Sequence, residues 1–170
     1  MNEPVYTIAQ IEERISRSRP MVGGDASANL LWKGYLMAVF ENFTSLFESA
    51  GHMAELEEGL GPEGHKEVIE MLGGPITDEE WEEMRLDDEE YARTGVSTAP
   101  QLTFEEDLAH RIQVHLGMHN SSRTVICLWK GFLAAVLEWK LIDREAFERL
   151  RSALPPGGED KIMPVIFYLE

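Results

Sequence analysis

Residues 31–41 read LWKGYLMAVFE and residues 128–138 read LWKGFLAAVLE, identical at eight of eleven positions. The three differences keep character: Tyr35 against Phe132, Met37 against Ala134 and Phe40 against Leu137. Self-similarity at a fixed offset is the mark of a repeated structural unit. The 97-residue offset (128 minus 31) extends upstream without a gap, pairing Ile11 with Leu108, Arg14 with Arg111, Ile15 with Ile112 and Met21 with Met118. Downstream it slips by three residues and pairs Met53 with Phe147, Leu56 with Leu150 and Leu60 with Leu154. This register gives one repeat copy within residues 1–72 and a second within 103–170, joined by an unduplicated stretch at 73–102. A unit of roughly 65 residues is marginal alone, so one compact domain with a shared core is expected.

Each copy reads as helical. Ile8, Ile11 and Ile15 recur at helical spacing, and Thr103 with Glu106 forms a capping-box pattern. From Leu30 to Phe47 apolar residues fall on every side of a helical wheel, as in a helix buried all round. Asp143 is placed to cap a third helix that Pro155, Pro156, Gly157 and Gly158 would stop. A short fourth helix is expected at 65–72, whereas its counterpart at 159–170, with Pro164 and β-branched residues, fits a strand or an irregular tail as well as a helix. Gly34 and Ala38 lie one turn apart, as do Gly131 and Ala135, and small residues at that spacing let two backbones approach closely. The expectation is an all-α, internally duplicated helical bundle. Two related three- to four-helix units, arranged like a fused homodimer, would cross at these four residues. Lys33 and Lys130 interrupt the apolar segments in both copies. Their stems would pack while the ammonium reaches water, or they would pair between helices with a buried acid such as Glu41 or Glu138, which also recur.

Composition matters most through charge. The 170 residues carry 31 acidic and 15 basic side chains, a formal net charge of −16, and that field disfavours direct contact with nucleic-acid phosphates and anionic lipids. The single cysteine, Cys127, excludes an internal disulfide framework. The N-terminus lacks the order of a signal peptide, and no uncharged apolar run approaches the ~20 residues of a membrane span, so a cytoplasmic protein is expected. Charge density peaks at 77–91, TDEEWEEMRLDDEEY, with nine carboxylates and one arginine. Read as an acidic connector helix, this segment presents Asp78, Glu79, Glu80, Glu82, Glu83, Asp87, Asp88, Glu89 and Glu90 around Trp81, Met84 and Tyr91. Aromatic anchors ringed by charge suit a basic protein surface, and these residues are the candidate partner-binding set.

Enzymatic signatures are missing: no G-x-S-x-G, phosphate-cradling loop, H-E-x-x-H or dinucleotide fingerprint occurs. Cys127 aligns with Leu30 and reads as core. His110, His115 and His119 cluster, with Glu106 and Asp107 one turn before His110. A histidine pair four apart can chelate a metal. Gly117 sits between the pair, however, and the other copy has Glu13, Ser18 and Val22 at these positions, so neither a metal nor a cofactor is expected. The leading functional expectation is a non-enzymatic protein that neutralises or escorts a basic partner, such as a toxin or a nucleic-acid-handling protein, as an immunity or inhibitor protein does. A secretion chaperone or adaptor is a close variant. The alternative is a small helical enzyme or ligand-binding protein with a pocket between the copies, lined by Trp32, Tyr35, Trp129 and Phe132.

Overall fold

The computed structural model describes residues 4–22, 26–71 and 103–167, together with Glu79, Glu82, Glu83, Arg85 and Leu86 of the connector. The described residues are helical and contain no strand. In chain order the helices are α1 (Ile8–Met21), α2 (Ala26–Asn42), α3 (Ala50–Glu58), α4 (His65–Met71), α5 (Phe104–Met118), α6 (Arg123–Glu138), α7 (Arg144–Arg151) and α8 (Glu159–Phe167). A single 3₁₀ turn, Thr44–Leu46, follows α2.

Helices α2 and α6 form the centre and pack most extensively on each other. Every residue from Leu30 to Phe40 is buried, and so is every residue from Val125 to Val136, as helices apolar on all sides require. Their backbones touch at the two predicted glycines. A methyl group on Gly34 would land inside the backbone carbonyl of Leu128, and one on Gly131 inside that of Leu31. The neighbours at each point are backbone atoms, so this is helix-on-helix contact that only glycine permits. Around the centre, α3 and α4 lie on α2, α5 and α7 lie on α6, and α8 packs against α1, α2 and α6.

Local signals set most helix ends. The Thr103–Glu106 capping box forms in both directions, at 3.1 and 3.3 Å. Asp143 Oδ1 accepts from the Ala146 N–H at 2.7 Å and caps α7. Helix α2 stops at Asn42 and does not run to Phe47. The Asn42 amide donates to the Ala38 carbonyl and the Thr44 hydroxyl to the Phe40 carbonyl, so side chains take over acceptors of the last turn. The segment after Gly158 is a helix despite Pro164, held by burial of Ile162, Met163, Ile166 and Phe167. Phe167 stacks on Tyr35, with ring centroids 5.3 Å apart, and meets Trp32 edge-on.

The lysines pair with buried acids on other helices, as one of the two expectations had it, but the acids are different ones. Lys33 and Lys130 are fully buried, ammonium included, and neither pairs with Glu41 or Glu138. Lys33 Nζ donates to Glu57 Oε1 at 2.9 Å and to the carbonyls of Gly61 and Glu63. Gly61 (φ +94°) and Gly64 (φ +80°) take backbone angles that L side chains rarely adopt, which turns this loop over the ammonium. Lys130 Nζ donates to Glu159 Oε1 at 2.9 Å, Asp160 Oδ1 at 2.8 Å and the Pro155 carbonyl at 2.9 Å. Glu41 and Glu138 instead receive arginines: Arg111 grips Glu41 with two hydrogen bonds at 2.7 and 3.1 Å, and Arg14 grips Glu138 at 2.7 and 3.2 Å. A buried ammonium persists only where acceptors satisfy its protons, which carboxylates on α3 and α8 and carbonyls of the loops after α3 and α7 supply.

Candidate functional site

Of the four residues expected to line a pocket between the copies, only Trp129 lines one. Trp32, Tyr35, Trp129 and Phe132 are all buried, and their polar atoms are engaged inside the core. Tyr35 Oη donates to Glu138 and accepts from Arg14 Nη1 at 3.1 Å and Trp139 Nε1 at 2.9 Å. Trp32 Nε1 donates to Ser18 Oγ at 2.9 Å, while Trp129 Nε1 donates to His115 Nδ1 at 3.0 Å. Cys127 is buried and its thiol is pushed up to about 11, chiefly by burial, so it is a poor nucleophile at neutral pH.

A cavity of about 180 Å³ opens beside that centre, where α4 and α5 flank α6. Glu70 and Met71 come from α4, and His110, Arg111, Val114, His115 and Met118 from α5, with the Trp129 indole at the floor. Val114 and Met118 are exposed at its mouth. One turn of α5 separates His115 from His119, and one side-chain donor or acceptor atom from each of Glu70, His115 and His119 lies within 4.8 Å of the others. His119 Nε2 donates to both Glu70 oxygens, at 3.0 and 2.9 Å. His115 is 5% exposed, its Nδ1 accepts from Trp129, and its Nε2 is buried with no partner. Desolvation, then the neighbouring His119, hold the His115 pKa below the ordinary histidine value, so the ring is neutral at pH 7.

The donor set is that of a metal-binding cluster, but the protonation pattern argues against one. Indole N–H only donates, so His115 Nδ1 must present its lone pair to Trp129, and the proton of the neutral ring then sits on Nε2. A metal needs that lone pair on Nε2. Histidines that ligate metals donate their second ring N–H to an acceptor, the reverse of what His115 does. His110 lies on the exposed side of α5 and stays out of the cluster, although it lines the cavity. Sequence reading named the three histidines and missed Glu70, which is 45 positions from His115. One available signal was that Ser18 and His115 stand fourteen residues before Trp32 and Trp129, as hydrogen-bond partners of each repeated indole.

Of the acidic connector, Glu79, Glu82, Glu83, Arg85 and Leu86 have helical backbone, Glu79 and Glu83 are exposed, and Glu82 pairs with Arg85, whose hydrogen bond lowers its pKa. Asp78, Glu80, Trp81, Met84, Asp87, Asp88, Glu89, Glu90 and Tyr91, the rest of the candidate partner-binding set, lie outside the described residues. Among the described residues no helix is long and apolar enough to cross a membrane. Comparisons with protein-family models, with curated proteins and with solved structures find no match to this chain.

Proposed function

We propose that this chain is a non-enzymatic, cytoplasmic binding protein whose acidic surface neutralises or escorts a basic protein partner, as an immunity or inhibitor protein does. The observation that carries the reading is where the cations are. Lys33, Lys130, Arg14 and Arg111, four of the fifteen basic side chains, are committed to carboxylates within the fold. They take five carboxylates with them, Glu138, Glu57, Glu41, Glu159 and Asp160, which leaves 26 acids against eleven basic side chains in the rest of the chain, and a field of that sign steers cationic surfaces and repels phosphate. The connector, with nine acids around Trp81, Met84 and Tyr91, is the segment on which such a partner would dock. A secretion chaperone or adaptor would use the same surface and differ only in releasing its cargo.

The proposal includes a duplicated architecture. Two contacts recur with partners exchanged under the 97-residue offset, Gly34 on Leu128 with Gly131 on Leu31 and Arg14–Glu138 with Arg111–Glu41, and a third, Trp32–Ser18 and Trp129–His115, recurs within each copy. Reciprocal exchange is what a twofold interface between two copies of one ancestral unit produces after fusion.

The test is capture of the native partner with the full chain, followed by affinity measurements across ionic strength. A basic partner whose affinity falls steeply with salt supports the reading. A partner that is acidic or neutral, or whose affinity ignores salt, refutes it. A second reading, a ligand-binding protein or small enzyme, is favoured by one observation, the polar cluster in the α4–α5 cavity.

A further inference from the structure

The α4–α5 cavity contains an unusual combination. His115 is buried, neutral and held by Trp129 in the tautomer that leaves an Nε2–H donor without a partner. Leaving a buried donor without an acceptor is costly, so the group calls for one. Within the same cluster, Glu70 presents two carboxylate oxygens, each accepting only from His119 Nε2 among the described groups, and each therefore keeping a free lone pair. One side-chain polar atom of His115 and one of Glu70 lie within 4.8 Å of each other, and a donor and an acceptor at that spacing are the complement of a hydroxyl group, whose oxygen accepts and whose proton donates. The rest of the wall combines Met71, Val114, Met118 and the Trp129 ring with His110 and Arg111. The volume, about 180 Å³, is close to the ~150 Å³ of a cavity that admits benzene.

We propose that this cavity binds a small neutral molecule carrying one hydroxyl on a compact apolar body, with phenol as the simplest member of the class. The hydroxyl oxygen accepts from His115 Nε2–H, its proton goes to Glu70, and the ring lies against Trp129 and the two methionines. Arg111 is no competitor for the ligand, because Glu41 and the Met71 carbonyl already take its guanidinium. A carboxylate ligand is disfavoured by Glu70, and a metal by the Nε2 proton.

The full chain, purified without a histidine tag, is titrated with phenol, anisole and toluene by calorimetry, and separately with zinc. Phenol should bind one to one and about ten- to a hundredfold more tightly than anisole, which accepts but cannot donate to the carboxylate. Glu70→Ala should erase that discrimination while near-ultraviolet circular dichroism stays native. Nitrogen-15 spectra of the histidine rings, which need no variant, should show His115 protonated at Nε2. Equal affinity for phenol, anisole and toluene would mean an apolar hole only and would overturn the proposal, as would no phenol binding at tens of millimolar. Stoichiometric zinc lost on His119→Ala, or a His115 ring protonated at Nδ1, would overturn it too.

Discussion

Replacing Gly34 by alanine sets two known effects against each other. In a helix interior alanine is favoured over glycine by about 1 kcal/mol, so an exposed site would gain stability. At the α2–α6 crossing the new methyl would overlap the Leu128 carbonyl, with the carbonyl carbon at 2.8 Å and the Phe132 nitrogen at 3.0 Å. Comfortable carbon contacts are roughly 3.5–4.0 Å and the Leu128 carbonyl oxygen is nearer still, so the helices must part by at least about 1 Å. A gap of that size forfeits a quarter to a half of each dispersion contact across it. At ~0.15 kcal/mol per pair and roughly fifty pairs for one buried side chain, that is ~2 kcal/mol for each large residue at the crossing. After the propensity gain, the expected net loss is about 2–4 kcal/mol, or a Tm fall of about 5–15 °C. Urea and thermal unfolding followed by circular dichroism measure it. Gly117→Ala on α5 is the control: nothing lies within 4 Å of its Cβ position, so it should be neutral or stabilising by up to ~1 kcal/mol. The double variant Gly34→Ala/Gly131→Ala should cost less than the sum, since one separation relieves both overlaps. A Gly34→Ala protein as stable as the parent would refute the backbone-contact account.

Lys33→Met leaves Glu57 buried without its ammonium and should cost about 3–5 kcal/mol by urea unfolding, with much of it recovered in Lys33→Met/Glu57→Leu; no recovery would mean that the lysine stem, not the ion pair, matters. Burial, the largest influence on Glu159 and Asp160, would raise their pKa values, but hydrogen bonds and charge from Lys130, together with Arg123 and a backbone N–H at Glu159 and with Gly157 N–H and Arg151 at Asp160, jointly outweigh it and hold both below their ordinary values of 4.5 and 3.8. Stability from these groups is then fully present above those ordinary values and lost as pH falls through the depressed ones, and Lys130→Met should flatten that acid limb in a pH series of unfolding free energies. Expressed apart, residues 1–72 and 103–170 should each lack native near-ultraviolet signal and regain it on mixing, because Arg14 needs Glu138 and Arg111 needs Glu41; a cooperatively folded half would contradict the shared core.

What could be read from the sequence depended on whether a feature was local or repeated. The capping box at Thr103, the Asp143 cap and the all-round apolar α2 and α6 follow from short-range chemistry, and the Gly34–Gly131 crossing from a repeat of small residues. The lysine partners follow from neither. Glu57 of one copy stands opposite Arg151 in the slipped register and Glu159 opposite His65, so the two buried ion pairs are closed by acids at non-equivalent positions and repetition gives no hint of them. The Arg14–Glu138 and Arg111–Glu41 pairs were masked because the glutamates looked like partners for the nearer lysines. The cavity was half legible: the histidines stood out by spacing, but Glu70 and the tautomer set by Trp129 arise only when α4, α5 and α6 come together.

The most direct test of the functional account is the association rate of the captured partner, measured by stopped flow from low to high salt. The parent chain is compared with a variant carrying Asp87→Lys, Asp88→Lys, Glu89→Lys and Glu90→Lys. Rim charges act on encounter more than on lifetime, so the variant should associate about tenfold or more slowly at low salt, with a flatter salt dependence and little change in dissociation. Identical association rates for the two proteins across the whole salt series would contradict the claim that the acidic connector steers a basic partner.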